Sequence, residues 1–329
     1  MQEYELSVII PANNEEFLAR TIQDILEKKR AKTEVIAVLD GKWADPQIPQ
    51  HPDVNVIYVP ESIGQRKATN LGVRLSKAEF IMKLDAHCMW DEGYDEKMIQ
   101  GFRKVGKDVT MVGIMRNLHV YDWKCYKCGK KVYQDVVPVC PDCGTKMRKK
   151  MVWEPRRGTR SRSYCFDSEP HFAYFNEYKN TEKYKKELET GFTETMSLQG
   201  SCWMLSRERY LEYMPVREEI GSWGNEGIEM ACREWLSGGK CLVNHSTWYA
   251  HCFRTKGNVF GFPYPQSGRE VQRTKKNVWD MIVNGKCPNQ MLPASWLIER
   301  FMPVADWTPD KLKELKIKEK QWQTQKQQT

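Results

Sequence analysis

Four short apolar runs in the first 85 residues limit what this chain can fold into more than any other feature. They are LSVIIPA at 6–12, EVIAVL at 34–39, VNVIYV at 54–59 and EFIMKL at 79–84, and three of them lead into an Asn or Asp. Such runs are too short for buried helices, and β-branched residues dominate them, so they read as strands. Residues 15–30 place Phe17, Leu18, Ile22, Ile25 and Leu26 at helical spacing, with Asn13 and Asn14 as expected caps, and residues 64–77 also read as a helix. Strand and helix in alternation predict an α/β domain around a mostly parallel sheet. Ligands on such sheets collect beyond the carboxyl ends of the strands. Those ends carry Pro11-Ala12-Asn13, Asp40 and Asp85-Ala86-His87.

The alternation continues with a helix over 91–105 and a strand over 109–115, then breaks from 116 to 164. It resumes with a strand at 198–205, helices at 207–213 and 226–237, a strand over 240–249 ending near His251, and a helix over 269–283. Gly238-Gly239 closes the second of those helices. After Asp310 the chain is polar and is expected to be a helix that frays. No stretch of about 18 apolar residues occurs, which predicts no membrane span and no membrane partner. The opening MQEYELSVII has neither a basic region nor a cleavage site, so the expected location is the cytoplasm.

The break in the pattern is also where the charge lies. Net charge is +8, and between Arg116 and Tyr164 thirteen Lys or Arg stand against four Asp or Glu, so this segment carries the whole excess. Four of the eleven cysteines sit there as Cys125-x2-Cys128 and Cys140-x2-Cys143. Two such knuckles are the arrangement for a tetrahedral Zn2+ held by four thiolates, with Gly129 and Gly144 permitting the turn after each. The other seven cysteines read as small buried residues. A zinc ribbon inserted in an α/β domain is the expectation.

A second metal set is Asp85, His87 and the distant His251. A carboxylate and an imidazole two residues apart at a strand end can face one cation, with Ala86 pointing away. The mixture of hard oxygen and imidazole nitrogen suits Mn2+, with Mg2+ as the alternative.

These motifs together resemble the family 2-like glycosyltransferases of GT-A fold, the Rossmann-like nucleotide-diphospho-sugar transferases, over most of residues 4–262. LSVIIPANNEE at 6–16, EVIAVLDGK at 34–42 and IGQRKATNLGVRLSKAEFIMKLDAHC at 63–88 resemble their nucleotide-binding half. The DxH form is similar to that of the polypeptide N-acetylgalactosaminyltransferases. So are GSCWMLSRERY at 200–210, SWGNEGIEMACREWLSGGK at 222–240 and YAHCFR at 249–254. The resemblance implies that Pro11, Ala12 and Glu15 line the nucleoside pocket and that Asp40 accepts from the base, uracil for a UDP-sugar. It implies that Asp85, His87 and His251 hold the cation that bridges the donor's phosphates, which stabilises charge on the leaving nucleotide. Trp223 would sit against a sugar, and Glu226 would bind a sugar hydroxyl or act as a base.

The chain departs from that pattern in places. Leu39 replaces the first acid of the usual pair. Lys67 and Thr69 stand where arginines are usual, which moves the expected phosphate contacts to Arg66 and Lys67. Gly227 stands where inverting relatives place Asp and retaining ones Asn, so stereochemistry stays open. Each residue also has a plainer use: Glu15 at a helix N-terminus, Asp40 in a turn, Trp223 in the core, His87 as a buried histidine, Glu226 as a helix cap. His119, His171 and His245 are expected to be structural.

The expected organisation is a nucleotide-sugar half at 1–115, the basic zinc ribbon at 116–165, an acceptor half at 166–262, and a helical extension with a polar tail at 263–329. Only about 65 residues follow Phe262, so the family's lectin module is not expected, nor its secretory acceptors. The basic residues Lys149, Lys150, Arg156, Arg157, Arg160 and Arg162, interleaved with Trp153 and Tyr164, are the expected nucleic-acid surface. The preferred expectation is a metal-dependent transferase of a sugar to a hydroxymethylated pyrimidine in DNA, as some phage enzymes do. A transferase acting on protein or a polysaccharide precursor, and a non-catalytic nucleic-acid-binding protein on a transferase fold, remain alternatives. The sugar, the nucleotide and the oligomeric state cannot be read from these residues.

Overall fold

The computed structural model describes residues 4–134, 139–253, 264 and 268–326. The expected boundary at 262/263 and Arg254 of the last motif lie outside them. The first half runs β1 (Leu6–Ala12), α1 (Leu18–Lys28), β2 (Thr33–Asp40), β3 (Val54–Val59), α2 (Gln65–Leu75), β4 (Phe80–Leu84), β5 (Cys88–Trp90) and α3 (Tyr94–Val105). Next come β6 (Val109–Lys124), β7 (Lys131–Tyr133), β8 (Arg148–Pro155), β9 (Tyr164–Phe166), β10 (Phe172–Tyr174), α4 (Glu182–Leu188) and β11 (Phe192–Glu194). The chain then forms β12 (Cys202–Ser206), α5 (Arg207–Tyr213), α6 (Glu226–Leu236), β13 (Lys240–His251), α7 (Gly268–Val283), α8 (Ala294–Phe301) and α9 (Pro309–Lys326). Among the described residues, no helix is long and apolar enough to cross a membrane.

The main sheet has the order β11-β13-β6-β12-β4-β1-β2-β3. Strands β3, β2, β1 and β4 are parallel, as the alternation predicts. Beyond β4 the sheet is mixed: β12 is antiparallel to β4 and β6, and β13 is parallel to β6. Residues of β1, β2 and β4 are all buried because helices or loops cover both faces, which is why these strands read as continuous apolar runs rather than alternating ones.

Several elements start or end elsewhere than their sequence predicts. The helix α1 begins at Leu18, not 15, and neither asparagine caps it. Asn14 takes a left-handed turn with φ of 55°, and Asn13 reaches across to Ser62 Oγ at 3.3 Å. Residues 198–201 precede β12 instead of belonging to it, because the backbone there passes against the start of α6.

The largest difference is β6. It does not stop at 115 but runs for 16 residues in all, to Lys124 in the inserted segment, so the expected 115/116 boundary falls inside a strand. Burial of Leu118, Val120 and Tyr121 explains this. They form a second apolar cluster with Phe17 of the β1–α1 loop, Trp153 of β8, and Ala250 and Cys252 at the end of β13. Trp153 is 5% exposed, stacks obliquely on Phe17 and donates from Nε1 to Asp24 Oδ1 at 3.1 Å. The ribbon is therefore clamped to the strand ends. Replacing Trp153 by Ala should cost about 3 kcal/mol or more by removing a buried aromatic, read as a lower urea midpoint. An unchanged midpoint would mean that the clamp contributes little.

Candidate active site

At the carboxyl end of β4 the chain passes Asp85, turns, and returns as β5, which pairs antiparallel with the end of β13. His251 lies opposite Cys88 in this pairing, and Cys252 N–H donates to the His87 carbonyl at 3.1 Å. That local reversal brings a histidine from the far end of the sequence beside His87. The two Nε2 atoms are 3.1 Å apart, and Asp85 Oδ2 lies 3.3 Å from His251 Nε2 and 3.9 Å from His87 Nε2. Adjacent ligands of an octahedral cation with bonds of about 2.1 Å stand about 3.0 Å apart, so this triangle has the size a divalent cation needs. The donor set fits as well. Burial holds the His251 imidazole down at about 4, so it is neutral at pH 7 with a lone pair to offer. His87 Nδ1 faces Glu15 Oε2 at 3.2 Å, and a proton held there leaves Nε2 as the donor atom. Glu15 thus orients the His87 ring from behind.

Beneath the triad lies a residue that the sequence reading passed over. Lys83 is 1% exposed, and its Nζ donates to Asp85 Oδ1 and to the Gly200 carbonyl, both at 2.5 Å, with Glu226 Oε1 at 3.8 Å. Burial opposes its charge, but Asp85 and Glu226 more than offset that and keep the ammonium protonated. For Asp85, burial is likewise outweighed by Lys83 and the two histidines, which hold its carboxyl below the usual range. A lone lysine within a strand of five buried residues was the available signal: such a charge needs a carboxylate partner.

Glu226 opens α6 and is 5% exposed. Its Oε1 accepts from Trp203 Nε1 at 2.9 Å, and its Oε2 has no hydrogen-bond partner among the described residues. Burial raises its carboxyl pKa, with Lys83 and Arg66 working against that rise. A buried carboxylate oxygen without a partner, in the wall of a cavity, is built to accept from a bound hydroxyl. Gly227 beside it is obligatory: a Cβ there would lie 2.1 Å from the Leu198 carbonyl oxygen. No side chain can occupy this position.

These groups share a cavity of about 470 Å³, lined also by Pro11, Trp223, Phe172 and Tyr264. Of the residues predicted to bind a donor, Pro11, Glu15 and Asp85 line it, whereas Ala12, Asp40, Arg66 and Lys67 do not. Asp40 is fully buried, and its oxygens accept from Ile63 N–H at 2.6 Å, Gly64 N–H at 2.9 Å and Ser62 Oγ at 3.0 Å. It ties the loop before α2 to the end of β2, which is its plainer use. Arg66 is also buried, paired with Glu229 and donating to the Gly224 carbonyl at 2.7 Å, so its charge is consumed inside the protein. Lys67 points to solvent and Gln65 takes the lining position instead.

In the ribbon, the sulfurs of Cys125 and Cys143, and of Cys128 and Cys140, are 3.5 Å apart, and those of Cys143 and Cys128 are 3.7 Å apart. Four thiolates around Zn2+ at about 2.3 Å would be about 3.8 Å apart, so the cluster fits that ion and is too open for disulfides. Gly129 and Gly144 have φ of 76° and 68°, and their N–H groups donate to Cys125 and Cys140 carbonyls, which closes both knuckles. The basic residues do not form one surface. Lys149 bonds Glu16 at 2.8 Å, and Arg162 lies in a partly buried site beside Lys179 and Tyr184, away from the ribbon tip. Trp153 and Tyr164, expected as exposed planar groups, are buried.

The architecture is that of the GT-A glycosyltransferases. Residues 7–124 match the family described as "Glycosyl transferase family 2". The crystal structure of GalNAc-T7 with UDP, GalNAc and Mn2+ superposes on 97% of this chain and 55% of its own, with a TM-score of 0.62 at 13% identity. In sequence, the chain is 24% identical to the putative polypeptide N-acetylgalactosaminyltransferase 13 of Drosophila melanogaster, over 90% of this chain and 49% of the relative. It is 27% identical to human polypeptide N-acetylgalactosaminyltransferase 3, over 76% of this chain and 37% of the relative. The chain thus spans half or less of the length of these relatives.

Two measurements check the metal sites. His251→Ala should abolish Mn2+ binding by calorimetry, and Glu15→Gln should weaken it about 10- to 100-fold with the fold intact. Unaltered affinity in both would refute the triad. Cys125→Ser combined with Cys128→Ser should lose one equivalent of zinc by elemental analysis.

Proposed function

We propose that this protein is a divalent-cation-dependent glycosyltransferase that moves a sugar from a nucleotide diphosphate sugar, a UDP-sugar first, to a hydroxyl acceptor. The convergence of Asp85, His87 and His251 on one point, in the cavity beyond the carboxyl ends of the strands, carries this reading. The solved neighbour holding UDP, GalNAc and Mn2+ supports it. Mn2+, with Mg2+ as substitute, would be held by that triad and would offset the charge gathering on the departing diphosphate.

The chain's own groups account for the rest. Glu15 keeps the His87 lone pair aimed at the cation, and Lys83 fixes Asp85 in place. Glu226 accepts from a sugar hydroxyl through Oε2, in a pocket that buries the reacting groups away from water. Trp223 offers its ring to the sugar. Pro11 packs against the nucleoside, and the loop that Asp40 ties down shapes that side. We assign a structural Zn2+ to Cys125, Cys128, Cys140 and Cys143.

For the acceptor we favour a hydroxymethylated pyrimidine in DNA, because a basic segment is clamped at the rim of the site, one strand from His251. The relatives' names specify polypeptides, so protein is the competing class. With Mn2+ and UDP-sugars, incubation with hydroxymethylated DNA, plain DNA and a peptide pool should add a hexose- or N-acetylhexosamine-sized mass to the first alone. Transfer to peptides would move the acceptor to protein, and absence of both transfer and donor hydrolysis would sink the enzyme reading. Glu226→Gln should retain donor binding and lose at least tenfold in transfer rate.

A further inference from the structure

The three-stranded sheet β7-β6-β8 has two faces with opposite chemistry. Trp123 lies opposite Val132 and Lys149, and this row turns inward: Trp123 and Val132 pack on the cysteine cluster, and Lys149 bonds Glu16. Side chains alternate along a strand, so the rows on either side of it face outward. One is Lys131–Lys124–Arg148 and the other Tyr133–Asp122–Lys150. Three cations directly opposite one another repel, which costs the fold stability. The one acid in these rows, Asp122, faces His119 Nε2 at 2.8 Å.

Two tyrosine rings stand over this face. Tyr126 is 62% exposed and has Lys124 Nζ at 5.6 Å and the Arg148 guanidinium at 5.4 Å from its ring. Tyr133 is 38% exposed, with Arg156 at 4.8 Å and the His119 ring at 4.6 Å. Building on the nucleic-acid acceptor proposed above, we infer that this outer face binds single-stranded nucleic acid, cations taking the phosphates and Tyr126 and Tyr133 stacking on bases. Repelling cations call for an external polyanion, and exposed flat rings call for planar partners. A single strand supplies both, whereas a duplex hides its base faces and an acidic peptide has none. The face also leads to the site: Asn117 of β6 pairs with His251, and Asp122 follows five residues later, about 17 Å along the strand.

Fluorescence anisotropy of the protein with a labelled oligothymidylate, without sugar donor and across a salt series, tests this directly. A duplex of equal length and polyglutamate serve as competitors. The oligonucleotide should bind more tightly than either. Tyr126→Ala with Tyr133→Ala should lose about tenfold or more in affinity with the salt slope kept, and Tyr126→Phe with Tyr133→Phe should keep the affinity. Lys124→Gln with Arg148→Gln should lower the slope by about 1.4. Zinc content and Mn2+ binding report folding in every variant. Equal binding of duplex, preference for polyglutamate, or no loss in the Tyr-to-Ala pair would each overturn the proposal. Oligonucleotide binding without sugar transfer to DNA would refute the acceptor reading and leave this surface standing.

Discussion

A lysine removed from water organises the floor of the cavity. Lys83 is buried in a strand whose other residues are apolar, and a desolvated ammonium is tolerable only with close counter-charges and acceptors. It therefore draws in Asp85, the Gly200 carbonyl and Glu226, which come from three separate parts of the chain. With Oδ1 of Asp85 committed to Lys83, Oδ2 is left to face the two histidines. The same contact sets Glu226 at the pocket wall, where Trp203 holds one oxygen and the other remains for a ligand.

Around that floor, close packing restricts the alternatives. Gly227 must lack a side chain because the backbone of Leu198 and Gly200 lies against it, so this position cannot supply an acid or amide to the site. Glu226 is left as the acidic side chain at the start of α6 that borders the cavity. The ribbon is attached with similar economy: β6 simply continues, and Phe17, Tyr121 and Trp153 seal its base beside the strand carrying His251. The ribbon and the Asp85–His87–His251 cluster are thereby mechanically joined through β6 and β13.

Much of this was legible before any coordinates. The parallel half of the sheet followed from short apolar runs, the four cysteines and the Asp85–His87 pair from ligand spacing, His251 from its strand-end context and the family resemblance, and the helix after Trp223 from its apolar period. Other features were less legible. Asp40 and Arg66 are charged residues at a strand end and a helix start, where a ligand contact and an internal bond look alike in sequence; in the structure both bond protein groups. Lys83 is masked in sequence by the apolar run around it, and the basic neighbours of Trp153 and Tyr164 suggest exposed rings where the structure buries both.

The sequence alone determined the layered α/β plan and the chemistry of the ligands, because backbone periodicity and ligand type are local properties. Only the tertiary structure decided which charges remain available to a substrate. That depends on partners far away in the chain: Glu229 for Arg66, Glu16 for Lys149, Glu15 for His87. It also decided that Lys124, Lys131, Arg148 and Lys150 share one face while Lys149 takes the other, since strand register settles which side chains stand together, and register is set by pairing rather than by spacing.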